Sequence, residues 1–125
     1  MRRGEIYYFD LGENRGSEVN KVRPCVVIQN NVGNKYSPTT IVAPISHGKN
    51  RQPTQIALKD WMQKGQFEKL DGVVQTEQIR TVDKSRMVSS VVGMLNYKAM
   101  NLINEALLIS IGISKNKRKE KYLAI

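Results

Sequence analysis

The chain has 125 residues, enough for one domain with a real core and too few for two. Its 20 Lys and Arg against 11 Asp and Glu give a net charge of +9, which points to a polyanionic or acidic partner. One cysteine and one histidine exclude an intrachain disulfide and argue against structural zinc, and no stretch approaches a membrane span or a secretory leader.

Short segments rich in Ile, Val, Thr and Tyr predict strands at Glu5 to Phe9, Pro24 to Gln29, Thr40 to Ile45, Thr54 to Leu58, Gly72 to Gln75, Glu77 to Val82 and Met87 to Met94. Polar, Gly, Pro and Asn punctuation between them favours an antiparallel sheet or small barrel. Tyr7, Tyr8 and Phe9 alternate across the first strand, so at least one aromatic packs in the core and another is open to stack a base. The loop from Gly12 to Asn20, with two glycines, reads either as a mobile flap over a ligand or as a plain hairpin connection.

Lys21-Val22-Arg23-Pro24 then runs into Cys25-Val26-Val27-Ile28 and the polar pair Gln29-Asn30. Proline fixes φ and donates no N–H, so Arg23 is expected where a surface loop becomes a buried strand. Cys25, inside an apolar run, reads as a small buried hydrophobe. Lys59 to Gln66 predicts a short helical turn, with Trp61 and Met62 packed inward and Gly65 ending it.

After Tyr97 the period changes. Met100, Ile103, Leu107 and Ile111 recur at helical spacing with Ala106 on the same face, Asn96 is a candidate N-cap and Gly112 a candidate C-terminal cap. Residues 1–113 are thus read as one domain and 114–125 as a basic tail. In that tail five basic residues stand against Glu120, contributing +4 and leaving +5 for the folded body.

Taken together, Gly4-Glu5-Ile6-Tyr7-Tyr8, Gly16-Ser17-Glu18, the Arg23-Pro24 element, Ser37-Pro38-Thr39 with Ile41-Val42-Ala43-Pro44-Ile45-Ser46, and Glu77-Gln78-Ile79-Arg80-Thr81-Val82-Asp83 form an ordered set. In this order and spacing the chain resembles the MazF/PemK-type toxins of bacterial toxin-antitoxin pairs, over roughly residues 3 to 113. The resemblance implies a mainly β fold, a small SH3-like antiparallel barrel with a C-terminal helix as in CcdB and MazF, paired as a homodimer. It also implies a cytoplasmic, sequence-specific, metal-independent endoribonuclease that needs no cofactor and cuts single-stranded RNA, including mRNA. The ribose 2′-OH attacks the adjacent phosphate and leaves a 2′,3′-cyclic phosphate and a 5′-OH. A cognate MazE-like antitoxin, through an acidic segment, is expected to occupy the same groove.

The residues present agree with that chemistry. A single histidine, His47, rules out a two-histidine mechanism, and the acids form no clustered metal motif. By the resemblance the catalytic arginine falls on Arg23, and its hydroxyl partner, commonly Thr, falls on Ser46. A guanidinium that stays protonated is an improbable base; its role is to grip phosphoryl oxygens, a contact typically worth about 3 kcal/mol. Donation of a proton to the departing 5′-oxygen is a second role open to it. Glu18 is either a base or gating group, or a carboxylate that pairs with Arg23 or Lys21. Lys21, Gln29, Asn30, His47, Gln78 and Arg80 are the RNA-binding candidates, with Gln78 and Arg80 expected on one face of a strand. Two alternatives share the fold: a CcdB-like inhibitor of DNA gyrase, and a non-catalytic RNA-binding barrel.

Overall fold

The computed structural model describes residues 1–13, 15–16, 21–48 and 52–113. Its elements in chain order are β1 (Glu5–Asp10), β2 (Val22–Val27), helix α1 (Asn31–Tyr36), β3 (Thr39–Ser46), β4 (Gln55–Ala57), β5 (Gln63–Lys64), β6 (Val73–Gln75), β7 (Arg80–Asp83), β8 (Gly93–Leu95) and helix α2 (Tyr97–Ser110). All ladders are antiparallel and run β4-β6-β3-β2-β1-β8-β5, with β7 also paired to β3. The path ends on β4 and β5, which no ladder joins, so the barrel is an open, curled sheet.

Strand alternation divides the apolar residues between two cores. On one face Ile6, Val26, Ala43, Ile45 and Val74 meet Ala99, Met100 and Ile103 of α2; on the other Tyr7, Phe9, Leu11, Cys25, Val27, Val42 and Val82 pack together. The sheet is therefore covered on both sides. Helix α2 has the expected ends. The Asn96 side chain accepts from Ala99 N at 2.9 Å, and Gly112, at φ +81°, closes a Schellman cap through Gly112 N to Ile109 O and Ile113 N to Leu108 O.

Three predicted elements are corrected. The predicted strand Glu77 to Val82 is a 3-10 turn over Thr76–Gln78 followed by β7, so Gln78 and Arg80 do not share a strand face. The reason is that β3 forks: Ile45 and Ser46 pair with β6 while Thr39 to Val42 pair with β7, and the chain must turn a corner between them. Thr76 fixes that corner through its N–H and Oγ1, both donated to Thr54 O. The predicted strand Met87 to Met94 shrinks to β8 and one bridge from Met87 to Phe9, because Ser89 Oγ takes the Tyr8 N–H in place of a backbone partner.

Near Trp61 the turn is only Asp60–Met62, long enough to bury one side chain; Met62 is buried and Trp61 is 54% exposed. Helix α1 was not foreseen. It is six residues long, is capped by Asn30 Oδ1 on Gly33 N, and folds because buried Asn34 bonds Thr40 Oγ1, Gln29 Nε2 and Gln29 O. Among the described residues no helix is long and apolar enough to cross a membrane.

Cys25 is buried, as expected, and burial pushes its thiol up to about 12, partly opposed by Arg80. The thiol stays protonated in the folded protein at pH values where an unfolded one ionises. A thiol-specific reagent at pH 8 should therefore leave the native protein unlabelled and label it fully in denaturant. Because the folded pKa is raised, stability should also fall as pH rises from about 9 toward 12, read from urea midpoints across that range. Rapid native labelling would show that Cys25 is reachable.

Candidate active site

The loop between β1 and β2 is tied at its base by Leu11 N to Lys21 O and Lys21 N to Gly12 O, with Lys21 in the left-handed region at φ 64°. This sets the entry of β2, and Arg23 follows two residues later, paired across the ladder with Phe9. Pro24, opposite Tyr8, continues the strand with its φ fixed. Arg23 is thus held by strand pairing and is only half-buried. Its Nε is buried and has no hydrogen-bond partner among the described residues. A buried charged donor left in this state is a ready site for an anion.

Ser46 ends β3. Cys25 pairs with Pro44, and continuing that register by two residues sets Arg23 across from Ser46. Both line one cleft of about 400 Å³, together with Tyr8, Val22, Pro24, Ile45, His47 and the segment Glu68 to Asp71. The cleft is large enough for a nucleotide. Of the three aromatics in β1, Tyr7 and Phe9 pack edge to face in the core, and Tyr8 is the one that reaches the cleft.

The far wall is built by residues 65–72, between β5 and β6. Gln63 grips Leu70 twice, through Leu70 N to Oε1 at 2.7 Å and Nε2 to Leu70 O at 2.8 Å, while Lys69 Nζ donates to Gln63 O at 2.9 Å. At its other end Gly72, φ +133°, presses so close to β3 that a Cβ there would lie 2.7 Å from Ser46 O. The wall is thus held at one end by β5 and at the other lies against β3, which carries Ser46. Sequence reasoning missed it; the available signal was a charged run, Glu68 to Asp71, bracketed by Gly65 and Gly72.

Of the sequence-predicted residues, Arg23, Ser46 and His47 come together, and the others are placed elsewhere. Lys21 is exposed beside the loop tie and does not line the cleft. Gln29 Nε2 is engaged by Asn34 Oδ1 and Thr39 O, and Asn30 caps α1, so both side chains serve that helix. Arg80 donates to Leu11 O at 3.2 Å and Arg86 to Asp10 O at 3.1 Å, two contacts that brace the end of β1. Gln78 sits in the corner turn, half-buried. Glu18 lies outside the described residues, as does the tail at 114–125.

Comparison with known proteins gives the family and the fold. A 44% identical relative, covering 90% of this chain and 92% of its own length, is the Endoribonuclease MazF of Staphylococcus saprophyticus subsp. saprophyticus. Two solved structures share the fold. One is an endoribonuclease in complex with its cognate antitoxin from a mycobacterial species, with a TM-score of 0.74, 24% identity and coverage of 93% of this chain and 99% of that one. The other is MazF from Deinococcus radiodurans, with a TM-score of 0.76, 15% identity and coverage of 90% and 97%. The model of the PemK-like, MazF-like toxins matches residues 2–111, and with 44% identity to a curated member over nearly the whole chain, the protein belongs to this toxin family of type II toxin-antitoxin systems.

Proposed function

We propose that the protein is an endoribonuclease toxin that cuts single-stranded RNA at specific short sequences in the cytoplasm. The observation that carries this is the buried Nε of Arg23, which has no hydrogen-bond partner among the described residues, in the same cleft as Ser46. The guanidinium grips the non-bridging oxygens as charge builds on phosphorus during attack by the 2′-OH, and the Ser46 hydroxyl hydrogen-bonds the same phosphoryl group. The bond from phosphorus to the 5′-oxygen breaks, leaving a 2′,3′-cyclic phosphate, and the proton passes to that oxygen to give a 5′-OH. Among the described residues no three of His, Cys, Asp and Glu gather to hold a cation, and this reading gives the charge-stabilising role to Arg23. The family match favours this reading over a gyrase inhibitor of the same fold.

A homodimer extends the cleft into a groove, and a cognate MazE-like antitoxin, named for the partner seen with such toxins, places an acidic segment over it and competes with RNA. The test is incubation of purified protein with mixed-sequence single-stranded RNA in excess EDTA, followed by mapping of ends. Discrete cuts with cyclic phosphates are expected. RNA that binds but stays whole supports a binding barrel instead, and cutting abolished by EDTA overturns the metal-free mechanism.

A further inference from the structure

Resting on the ribonuclease reading, we infer that Glu68 is a specificity residue, selecting an amino-bearing base over uracil at a position next to the cut. The cleft has two chemically different sides. Arg23 and the Ser46 hydroxyl sit on the strand side and suit a phosphodiester; the loop side carries Glu68 and Asp71 beside Lys69, whose Nζ donates to Gln63 O, and its net negative charge suits a base better. RNA entering this cleft therefore sets its backbone toward β2 and β3 and a base toward the loop.

Of the two carboxylates, Asp71 has one oxygen, Oδ1, turned to the adjacent Gly72 N–H at 3.0 Å. Glu68 is exposed, and no hydrogen bond engages its side chain among the described residues. Its backbone is nonetheless well placed. The Phe67 ring lies against Gly65, and Gln63 holds Leu70 two residues further on. A reader on so short and pinned a loop loses little entropy on binding.

A carboxylate accepts hydrogen bonds and donates none. Adenine, cytosine and guanine each offer an exocyclic amino group, and guanine adds a neighbouring ring N–H for a bidentate contact. Uracil offers one ring N–H flanked by two carbonyl oxygens, which a carboxylate repels. Glu68 thus discriminates against uracil. The amide of Glu68→Gln, with both a donor and an acceptor, pairs with the uracil edge and removes that discrimination.

The experiment is cleavage of a randomised single-stranded RNA library by the wild type, Glu68→Gln and Glu68→Ala, with the cut ends sequenced and each variant's melting temperature checked. The wild type is expected to disfavour uracil at least tenfold at one position beside the cut. Glu68→Gln should reduce that ratio at least fivefold, with part of the loss falling on the rate at the preferred wild-type site. Glu68→Ala should flatten the preference at the same position without favouring uracil. A base profile unchanged at every position in both folded variants overturns the inference and leaves the ribonuclease reading intact. A wild type that cuts nothing overturns both.

Discussion

Replacing Arg23 with alanine should lower the cleavage rate about 100- to 1,000-fold, the usual effect of removing one preorganised donor from a developing oxyanion. The protein should melt as before, because the side chain is half-buried and its Nε has no partner to lose among the described residues. Arg23→Lys should fall between the two. It keeps the charge but loses the planar pair of donors that match two phosphoryl oxygens. Single-turnover cleavage of a labelled RNA, alongside thermal melts, measures both quantities. An alanine variant that cuts within threefold of wild type removes Arg23 from the chemistry.

Gly72→Ala should lower stability by about 3 kcal/mol, combining a strained backbone with overpacking. At φ +133° the position disfavours any side chain, and an added Cβ would sit 2.7 Å from Ser46 O and 2.9 Å from Ile45 Cγ2. The Ser46 carbonyl belongs to the β3 backbone and cannot swing aside. Gly72 O also accepts the Leu58 N–H at 2.9 Å, so movement at Gly72 breaks a contact to the next segment. For a domain of this size, scanning calorimetry should show a melting point lower by about 10 °C. The folded fraction should cut RNA more slowly, since relief of the contact shifts Ser46 relative to Arg23. A melting point within about 2 °C of wild type would mean that the loop moves instead.

The parts of the fold written in strong periodicity were legible. The first three strands and helix α2 with its Asn96 cap follow from alternation, helical spacing and one capping residue. The corner at Thr76–Gln78 was not, because it is set by where β3 passes from one neighbour to the other, a tertiary requirement that leaves the local residues reading as a strand. Helix α1 was missed since Asn31-Val32-Gly33-Asn34 has poor helix propensity and holds through the buried Asn34 network. In the site, Arg23 and Ser46 were singled out through the family resemblance, and both line one cleft. Gln29 and Asn30 were read as RNA contacts, yet their side chains brace and cap α1. The loop wall carrying Glu68 escaped notice because its place beside Ser46 depends on Gln63 and Gly72, neither of which signals chemistry in isolation.

The forked strand has a bearing on synthesis. Arg23 and Ser46 leave the ribosome early, but β3 gains its outer neighbours only from residues 73–75 and 80–83, and the helix that seals one core comes at 97–110. A nascent chain carries both cleft residues long before it carries the strands that frame them. On the ribonuclease reading proposed above, a nascent chain of this connectivity gains a framed cleft only after residues 97–110 have been made.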